Sequence, residues 1–414
     1  MMDRAQGWVD PARPVLEQLD VLSERTFADP DLQALADYRK RGRDCRVIGC
    51  FPVYTPEELV HAAGFLPAHL YGGGQIIEIE RADARIQSFV CSIAKSTLEL
   101  GLAGRIPMVD GFLFPSICDV ARNLSGIWKR NFPNQFIGYC HWPEQANAPS
   151  ARVYLRSELA RVLSGLEELR GREVGVDELN ASLAVYNENR RLMRALRGLR
   201  RAHPEKLALA ESYRLFRAGG FMPREEHNEL LRRALEEAEA RERKPRDAIR
   251  VVLEGSFCEQ MPVAMIEMIE EAGCYVVDDD LLLGLRWYSE DVPADTEDPL
   301  DALAGAFLAG APDCAVHYVG RESRVAAFGE KLTRSGAEGV IFASAKFCEP
   351  ALYDVVLLRD EAERHGLPYV LFEFEEKAGL FDAIQTQVET FVESILFFEE
   401  EGARGPSPLR GAYV

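Results

Sequence analysis

The chain has 414 residues, 47% hydrophobic and 28% charged, a composition typical of a globular protein with two or three domains. Its 48 Lys and Arg residues against 67 Asp and Glu residues give a formal net charge of −19, which argues against a broad surface for nucleic acid or an anionic membrane. No stretch approaches the roughly 20 apolar residues of a membrane helix, and the first residues lack the apolar core of a secretion signal. We therefore expect a cytoplasmic protein that binds neither membrane nor nucleic acid.

The first part of the chain alternates short apolar runs with helical patterns. Residues 1–30 are expected to form an N-terminal leader, because prolines interrupt them and they show little periodicity. In residues 31–150, the first α/β domain, strands are predicted near 45–54, 65–70, 111–114 and 136–140. Thr55 is the predicted N-cap of the helix after the first strand, with glutamates that suit a capping box, and Gly64 is predicted to end that helix. Strands that alternate with helices indicate a parallel sheet covered by helices.

Residues 151–248 have a different character. Apolar residues recur there at helical spacing, as in Leu155, Leu159 and Val162, and strand signals are absent, so the segment is predicted to be a helical module. The α/β pattern resumes in residues 249–400, with strands predicted near 249–254, 274–278, 315–319, 339–343 and 369–373, and residues 401–414 form a tail. The expected fold class is α/β, with two doubly wound parallel-sheet (Rossmann-like) domains and a helical insertion.

Nine cysteines are the most informative feature of the composition. An odd number in a large chain without a secretion signal argues against a disulfide framework. One pattern recurs, in which a strand and a short loop are followed by a cysteine and an acid: Cys118-Asp119, Cys258-Glu259 and Cys348-Glu349. Cys91 lies where a loop enters a predicted helix. Because ligands of parallel sheets bind at the carboxyl ends of the strands, we expect several of these thiols to meet in one cleft.

Several common sites are excluded by their missing motifs. The sequence has no CxxC pair for a zinc ribbon or a thioredoxin site, no HExxH motif, and no Walker A motif for ATP. Single thiolates that arrive from distant loops suit an iron–sulfur cluster held between domains. A cluster with three protein thiolates would leave one iron open to another ligand.

Several longer motifs lie around these cysteines and elsewhere in the chain. They are Tyr54-Thr-Pro-Glu-Glu58, Phe114-Pro-Ser-Ile-Cys-Asp119, Gly255-Ser-Phe-Cys-Glu-Gln260, Gly273-Cys-Tyr-Val-Val-Asp-Asp-Asp280 and Lys346-Phe-Cys-Glu-Pro350. Through them the chain, from about residue 45 to 398, resembles the cluster-bearing catalytic subunits of the benzoyl-CoA reductase and 2-hydroxyacyl-CoA dehydratase family. The third and fourth motifs are more similar to the benzoyl-CoA reductase branch, to its C or B subunits.

The resemblance implies a specific set of cluster ligands. Cys91, Cys118 and Cys348 would bind the iron of one 4Fe-4S cluster, Cys258 would lie near the cleft without being a ligand, and Lys95 would keep a positive charge beside the cluster. The remaining five cysteines are expected to be small buried residues, at positions Cys45, Cys50, Cys140, Cys274 and Cys314.

The resemblance also implies partners and an activity. The partners are a second related cluster-bearing subunit, activator subunits that hydrolyse ATP (which this chain does not), and ferredoxin as electron donor. The activity is the reduction of an aromatic CoA thioester to a cyclic dienoyl-CoA by single electrons of low potential. An (R)-2-hydroxyacyl-CoA dehydratase subunit, which uses the same cluster for a redox-neutral radical dehydration, is the alternative. A cluster carrier without catalytic activity is a third hypothesis.

The acids that follow the cysteines are candidates for catalysis. Asp119, Glu259 and Glu349 could transfer protons or bind the groups around the cluster. Each of them also follows a strand just before a predicted helix, where an acid commonly stabilises the helix N-terminus. The sequence leaves both roles open and favours the second.

Overall fold

In a computed structural model of the protein, the described part of the chain covers most of the sequence. It comprises residues 7–29, 31–73, 77–255, 261–281, 290–310, 314, 316–317, 320–375 and 381–400, with side chains up to residue 396. Within these ranges, no helix combines the length and the apolar composition that crossing a bilayer requires.

Four parallel strands form the first sheet, in the order β2-β1-β3-β4. They are β1 (Arg46–Cys50), β2 (Phe65–His69), β3 (Val109–Pro115) and β4 (Phe136–Cys140). The helices of this part are α1 (Leu19–Arg25), α2 (Gln33–Lys40), α3 (Glu57–Ala62), α4 (Ser92–Leu102) and α5 (Asp119–Asn131). All four strands lie where apolar runs predicted them. The central strands β1 and β3 are almost continuously buried, as expected for a parallel sheet covered on both faces.

The helical module follows as predicted. Its helices are α6 (Ala151–Arg170), α7 (Val176–Ala202), α8 (Leu209–Ala218) and α9 (Arg224–Ala240). All of residues 151–248 are described, and none of them belongs to a strand. The predicted apolar stripe of α6 is buried, including Leu155, Leu159 and Val162. The expected leader contains helix α1, and Glu237 of α9 accepts hydrogen bonds from the Val15 and Leu16 amides at 2.8 and 3.0 Å.

The second sheet repeats the topology of the first, in the order β6-β5-β7-β8. Its strands are β5 (Ile249–Glu254), β6 (Cys274–Asp279), β7 (Gly339–Ala345) and β8 (Tyr369–Phe374). Its helices are α10 (Val263–Glu271), α11 (Pro299–Gly310), α12 (Arg321–Ser335), α13 (Glu349–Arg364) and α14 (Asp382–Glu400). Two four-stranded parallel sheets with flanking helices confirm the predicted α/β fold class.

A fifth strand predicted near residues 315–319 is not found among the described residues of that segment. Cys314 and His317 instead form an isolated antiparallel bridge with each other, with N–H···O distances of 3.0 and 3.1 Å. The N–H and C=O groups of Cys314 and His317 thus bind each other rather than β5 or β7. Residues 315, 318 and 319 lie outside the described part.

The start of α3 differs from its prediction, whereas its end does not. The Thr55 hydroxyl donates to the Phe51 carbonyl at 2.8 Å, so Pro56 rather than Thr55 occupies the cap position. The two glutamates that suited a capping box are buried in ion pairs with the helical module. Gly64 ends the helix as predicted, at a φ of 78° that only glycine adopts without strain.

Buried ion pairs join the helical module to both sheets. On the first sheet, the Glu57 carboxylate accepts from Arg224 of α9 at 2.5 Å and from His69 of β2 at 2.6 Å. On the second sheet, the carboxylate of Asp278 at the end of β6 accepts from Arg197 of α7 at 2.7 Å. Buried charges are tolerated only when paired in this way, so these contacts fix how the module is oriented on the two sheets.

The Glu57 pairs predict an acid-sensitive contribution to stability. Burial by itself would raise the pKa of Glu57, but His69 and Arg224 outweigh it and lower the pKa to about 2. A carboxyl group whose pKa is lowered by folding stabilises the fold at pH values above its ordinary pKa. This stabilisation is lost as the pH falls towards the lowered pKa. We expect the free energy of unfolding to fall by about 2 kcal/mol more in the wild type than in Glu57→Gln between pH 6 and pH 3.

Urea unfolding followed by circular dichroism at stepped pH measures this difference. Glu24→Gln, which removes an exposed carboxylate on α1, is the matched control and should follow the wild-type curve. Parallel pH curves for the wild type and Glu57→Gln would contradict the prediction.

Candidate functional site

A cavity of about 660 Å³ lies at the carboxyl ends of the strands of both sheets. In each sheet the chain leaves the first strand to one side and later returns to its other side, which creates a switch point beside β1 and beside β5. Loops diverge at such points and leave a crevice where ligands bind. The cavity is lined by Phe51 after β1, Ile117 after β3 and Phe347 after β7. It is therefore shared by the two halves of the chain.

Cys91, Cys118 and Cys348 all line this cavity. Each is the residue immediately before a helix, and they cap α4, α5 and α13 respectively. The first N–H groups of a helix have no partner within the helix, and together they carry a partial positive charge. All three thiols thus lie at the positive ends of helices, in a partly exposed position. The structure brings together the three cysteines that the resemblance singled out.

Cys118 shows how the helix holds a thiol. Its backbone is extended, and its Sγ accepts a hydrogen bond from the Ala121 N–H at 3.5 Å, which is the geometry of an N-cap side chain. Burial raises the pKa of the Cys118 thiol, and the N–H groups of Ala121 and Val120 offset part of that rise. The sulfur is therefore oriented by the start of α5.

The walls of the cavity are largely apolar, and its rim is exposed. Of the lining residues, Phe51 and Ile117 are buried, whereas Phe89 and Tyr353 expose 68% and 76% of their surface. Phe347, next to Cys348, has a φ of 63°, in the left-handed region that bulky residues seldom adopt. Such strain clusters at functional sites, because the surrounding structure must hold it in place.

Two of the acidic candidates, Asp119 and Glu349, are the first residues of their helices, directly after the cysteine that caps each one. Asp119 lines the cavity, but its side chain is 91% exposed and lies 4.0 Å from Arg122. Glu349 also lines the cavity and is exposed. An acid in the first turn of a helix interacts favourably with the helix dipole, so both residues fit that ordinary role. Glu259 and Cys258 lie outside the described residues.

The remaining described cysteines line other parts of the fold. Cys50, Cys140, Cys274 and Cys314 are buried as expected, whereas Cys45 is half-buried. Burial raises the pKa of the Cys140 and Cys274 thiols to about 12. None of the eight described cysteines forms a disulfide. Lys95 is not among the residues that line the cavity, and its ammonium group pairs with Asp83 at 3.1 Å.

The donor set fits an iron–sulfur cluster better than a single metal ion. Three thiols are soft ligands of the kind that iron–sulfur clusters use, whereas the carboxylates of the lining, Asp119, Glu349 and Asp354, are hard ligands. Among the described residues, no group of three His, Cys, Asp or Glu side chains is close enough to bind one ion. A cluster takes one thiolate per iron, so its ligands lie further apart than those of one ion.

Two cavity residues were missed in the sequence, although a simple rule finds them. Tyr353 and Asp354 follow Glu349 and Pro350 by one helical turn, and residues four apart share a helix face. The spacing after Cys348 would therefore have identified both residues. Phe89 has no comparable signal, because it precedes α4 in an irregular segment.

The model of one protein family matches most of the chain. It is described as HGD-D, 2-hydroxyglutaryl-CoA dehydratase, D-component, and it matches residues 52–395. The chain belongs to this family. The match includes all three cysteines of the cavity, and it confirms the resemblance that their motifs indicated.

Individual relatives of the HGD-D family span nearly the whole chain. The C subunit of benzoyl-CoA reductase from Thauera aromatica is 41% identical over 90% of this chain and 96% of its own length. The beta subunit of lactoyl-CoA dehydratase from Anaerotignum propionicum is 29% identical over 88% of this chain and 95% of its own length. The beta subunit of (R)-2-hydroxyglutaryl-CoA dehydratase from Acidaminococcus fermentans is 28% identical over 87% of this chain and 95% of its own length. All three relatives are named as subunits.

Proposed function

We propose that this chain is a subunit of an ATP-dependent aryl-CoA reductase, which converts an aromatic CoA thioester to a cyclic dienoyl-CoA. The observation that carries the proposal is the 41% identity to a benzoyl-CoA reductase subunit over 90% of the chain. The identity to the two dehydratase beta subunits is lower, at 29% and 28%. The difference favours an aromatic thioester over a 2-hydroxyacyl thioester as the substrate class.

In this proposal Cys91, Cys118 and Cys348 hold one 4Fe-4S cluster, which supplies single electrons of low potential when it is bound. The three helix N-termini stabilise negative charge on the thiolates. Phe51 and Ile117 keep water away from the buried side of the cavity, since both are almost fully covered. Three protein thiolates leave one iron to a ligand that is not a cysteine.

The proposal includes partners and a compartment. The partners are a second related cluster-bearing subunit, activator subunits that hydrolyse ATP, and ferredoxin as the electron donor. The compartment is the cytoplasm. The relatives are named as C and beta subunits, which supports a multi-subunit enzyme. Asp119, Glu259 and Glu349 stay candidates for proton transfer in this enzyme.

An anaerobic assay of the complex of this chain with its partner subunits tests the proposal. With an aromatic CoA thioester, we expect electrons to be consumed in stoichiometric proportion to the diene formed. The complex that contains Cys118→Ser should be inactive, and the complex that contains Cys45→Ser should retain full activity, because Cys45 lies outside the cavity.

Other results would support other functions. Dehydration of a 2-hydroxyacyl-CoA with only catalytic amounts of electrons would replace the reductase by the dehydratase. A normal iron content without turnover of any acyl-CoA would indicate a cluster carrier without catalytic activity.

A further inference from the structure

Exposed apolar side chains gather at the mouth of the cavity. Phe89, Phe347 and Tyr353 line the cavity and expose 68%, 39% and 76% of their surface. Val356, which precedes the lining residue Leu357 on α13, is 50% exposed. We define Phe89, Phe347, Tyr353 and Val356 as the mouth patch. Elsewhere in the described part of the chain, the large apolar side chains that are exposed lie on three other helices: Val21, Val153, Tyr154 and Val176.

Helix α13 is apolar on two sides. Tyr353 and Val356 are three residues apart, so they share the outer face of this helix. Its inner face is buried against the second sheet's half of the molecule through Ala351, Val355 and Leu358. A surface helix ordinarily has polar residues on its outer face, and an apolar outer face marks a site of interaction. We therefore expect another molecule to cover the outer face of α13.

The composition of the mouth patch and its surroundings is that of a protein interface. Aromatic residues are enriched in the centres of such interfaces, and a polar rim surrounds them. Charged residues stand at the edge of the patch in partly exposed pairs: Lys346 lies 3.3 Å from Glu375, and Asp119 lies 4.0 Å from Arg122. An apolar centre with paired charges around it fits a protein partner better than a small ligand.

The apolar character of the mouth patch also distinguishes between kinds of protein partner. Permanent subunit interfaces are large and hydrophobic, whereas encounters with electron carriers are small, and complementary charges steer them. A second copy of this chain would bring a further formal net charge of −19 against the first, which disfavours self-association. The relatives are named as C and beta subunits, which fits a permanent complex of different chains.

We propose that the mouth patch binds the second cluster-bearing subunit and that this subunit closes the cavity from solvent. The inference rests on the proposed function, which supplies the identity of the partner. A chain bound to the patch lies directly over the group that Cys91, Cys118 and Cys348 hold. It excludes water from the open side of the cavity, and exclusion of water protects a reactive group from side reactions.

Binding of the two subunits to each other, measured by analytical ultracentrifugation under anaerobic conditions, tests the proposal. Val356→Glu should raise the dissociation constant at least about tenfold, because the interface would bury an unpaired carboxylate. Val176→Glu is the matched control, since Val176 is a similarly exposed valine (46%) at the start of α7 and outside the mouth patch. It should change the dissociation constant by less than about twofold. Circular dichroism checks that both variants fold.

A photo-cross-linking experiment identifies the bound chain and does not depend on the folding of Val356→Glu. Tyr353 is replaced by p-benzoylphenylalanine, the complex with all partner subunits is irradiated, and mass spectrometry identifies the cross-linked chain. We expect the second cluster-bearing subunit. The same replacement of Val176 should give no cross-link to that subunit.

Each contrary outcome has a distinct meaning. Cross-links from position 353 to an activator subunit or to a second copy of this chain would overturn the assignment of the mouth patch, as would unchanged binding by Val356→Glu. Reduction of an aromatic thioester by the same complex would then leave the proposed function intact. Conversely, the expected cross-link in a complex that only dehydrates a 2-hydroxyacyl-CoA would support the interface and overturn the proposed function.

Discussion

Replacement of Cys118 by serine is expected to remove most of the iron from the anaerobically purified protein. Serine is a good N-cap, so the start of α5 and the fold should be retained. A hydroxyl is a poor ligand for iron in a thiolate cluster. The affinity for iron should therefore fall by more than the roughly 10- to 100-fold that is typical when a residue that only hydrogen-bonds to a metal ligand is replaced. Iron and sulfide analysis, with circular dichroism to check folding, measures the effect.

The matched control for this prediction is Cys45→Ser. Cys45 is half-buried like Cys118, but it lies next to β1 and outside the cavity. Its replacement should leave the iron content unchanged. Near-normal iron in Cys118→Ser would reject Cys118 as a ligand, and equal losses in both variants would point to a general defect in folding.

The second large effect is expected from Arg224→Met. Arg224 is buried, donates to Glu57 at 2.5 Å and lies over the ring of Tyr186 at 4.9 Å. Methionine replaces the packing of the side chain but leaves the Glu57 carboxylate with one cation fewer. Breaking one side of a buried ion pair typically costs about 3–5 kcal/mol of unfolding free energy. Urea unfolding measures the loss.

Arg232→Met on the same helix is the matched control. The Arg232 side chain is 42% exposed, and it pairs with Glu188 and Glu229 at the surface. Its replacement should cost no more than about 1 kcal/mol. The double variant Glu57→Gln with Arg224→Met should recover part of the loss, because it leaves no unpaired buried charge. Equal losses of unfolding free energy in Arg224→Met and Arg232→Met would contradict the prediction.

Strands were easier to predict from this sequence than the ends of helices. The eight strands in the described part of the chain all correspond to apolar runs, because a strand buried on both faces must be almost continuously apolar. The cap of α3 was predicted wrongly, because Glu57 and Glu58 find arginines far away in the chain, which no local rule can include. The segment near 315–319 has the apolar character of a strand, but a local turn satisfies the backbone of Cys314 and His317.

The candidate site likewise contains residues that the sequence predicts and residues that it does not. The pattern of strand, loop and cysteine is local, so Cys118 and Cys348 could be assigned to the cavity from the sequence. The buried contacts of Arg324 could not, since Glu254, Asp280 and Arg324 come from separate segments and only the folded chain brings them together.

The position of the three cysteines also bears on the conformational entropy of the unfolded chain. Cys91 and Cys118 belong to the first sheet's half of the molecule and Cys348 to the second. A group bound by all three would close a loop that includes the whole helical module, as a disulfide between distant residues does. The entropy removed from the unfolded chain by such a closure grows with the length of the loop. Under the proposed function, the bound group would therefore also stabilise the fold by linking the two halves, and its loss would lower the free energy of unfolding.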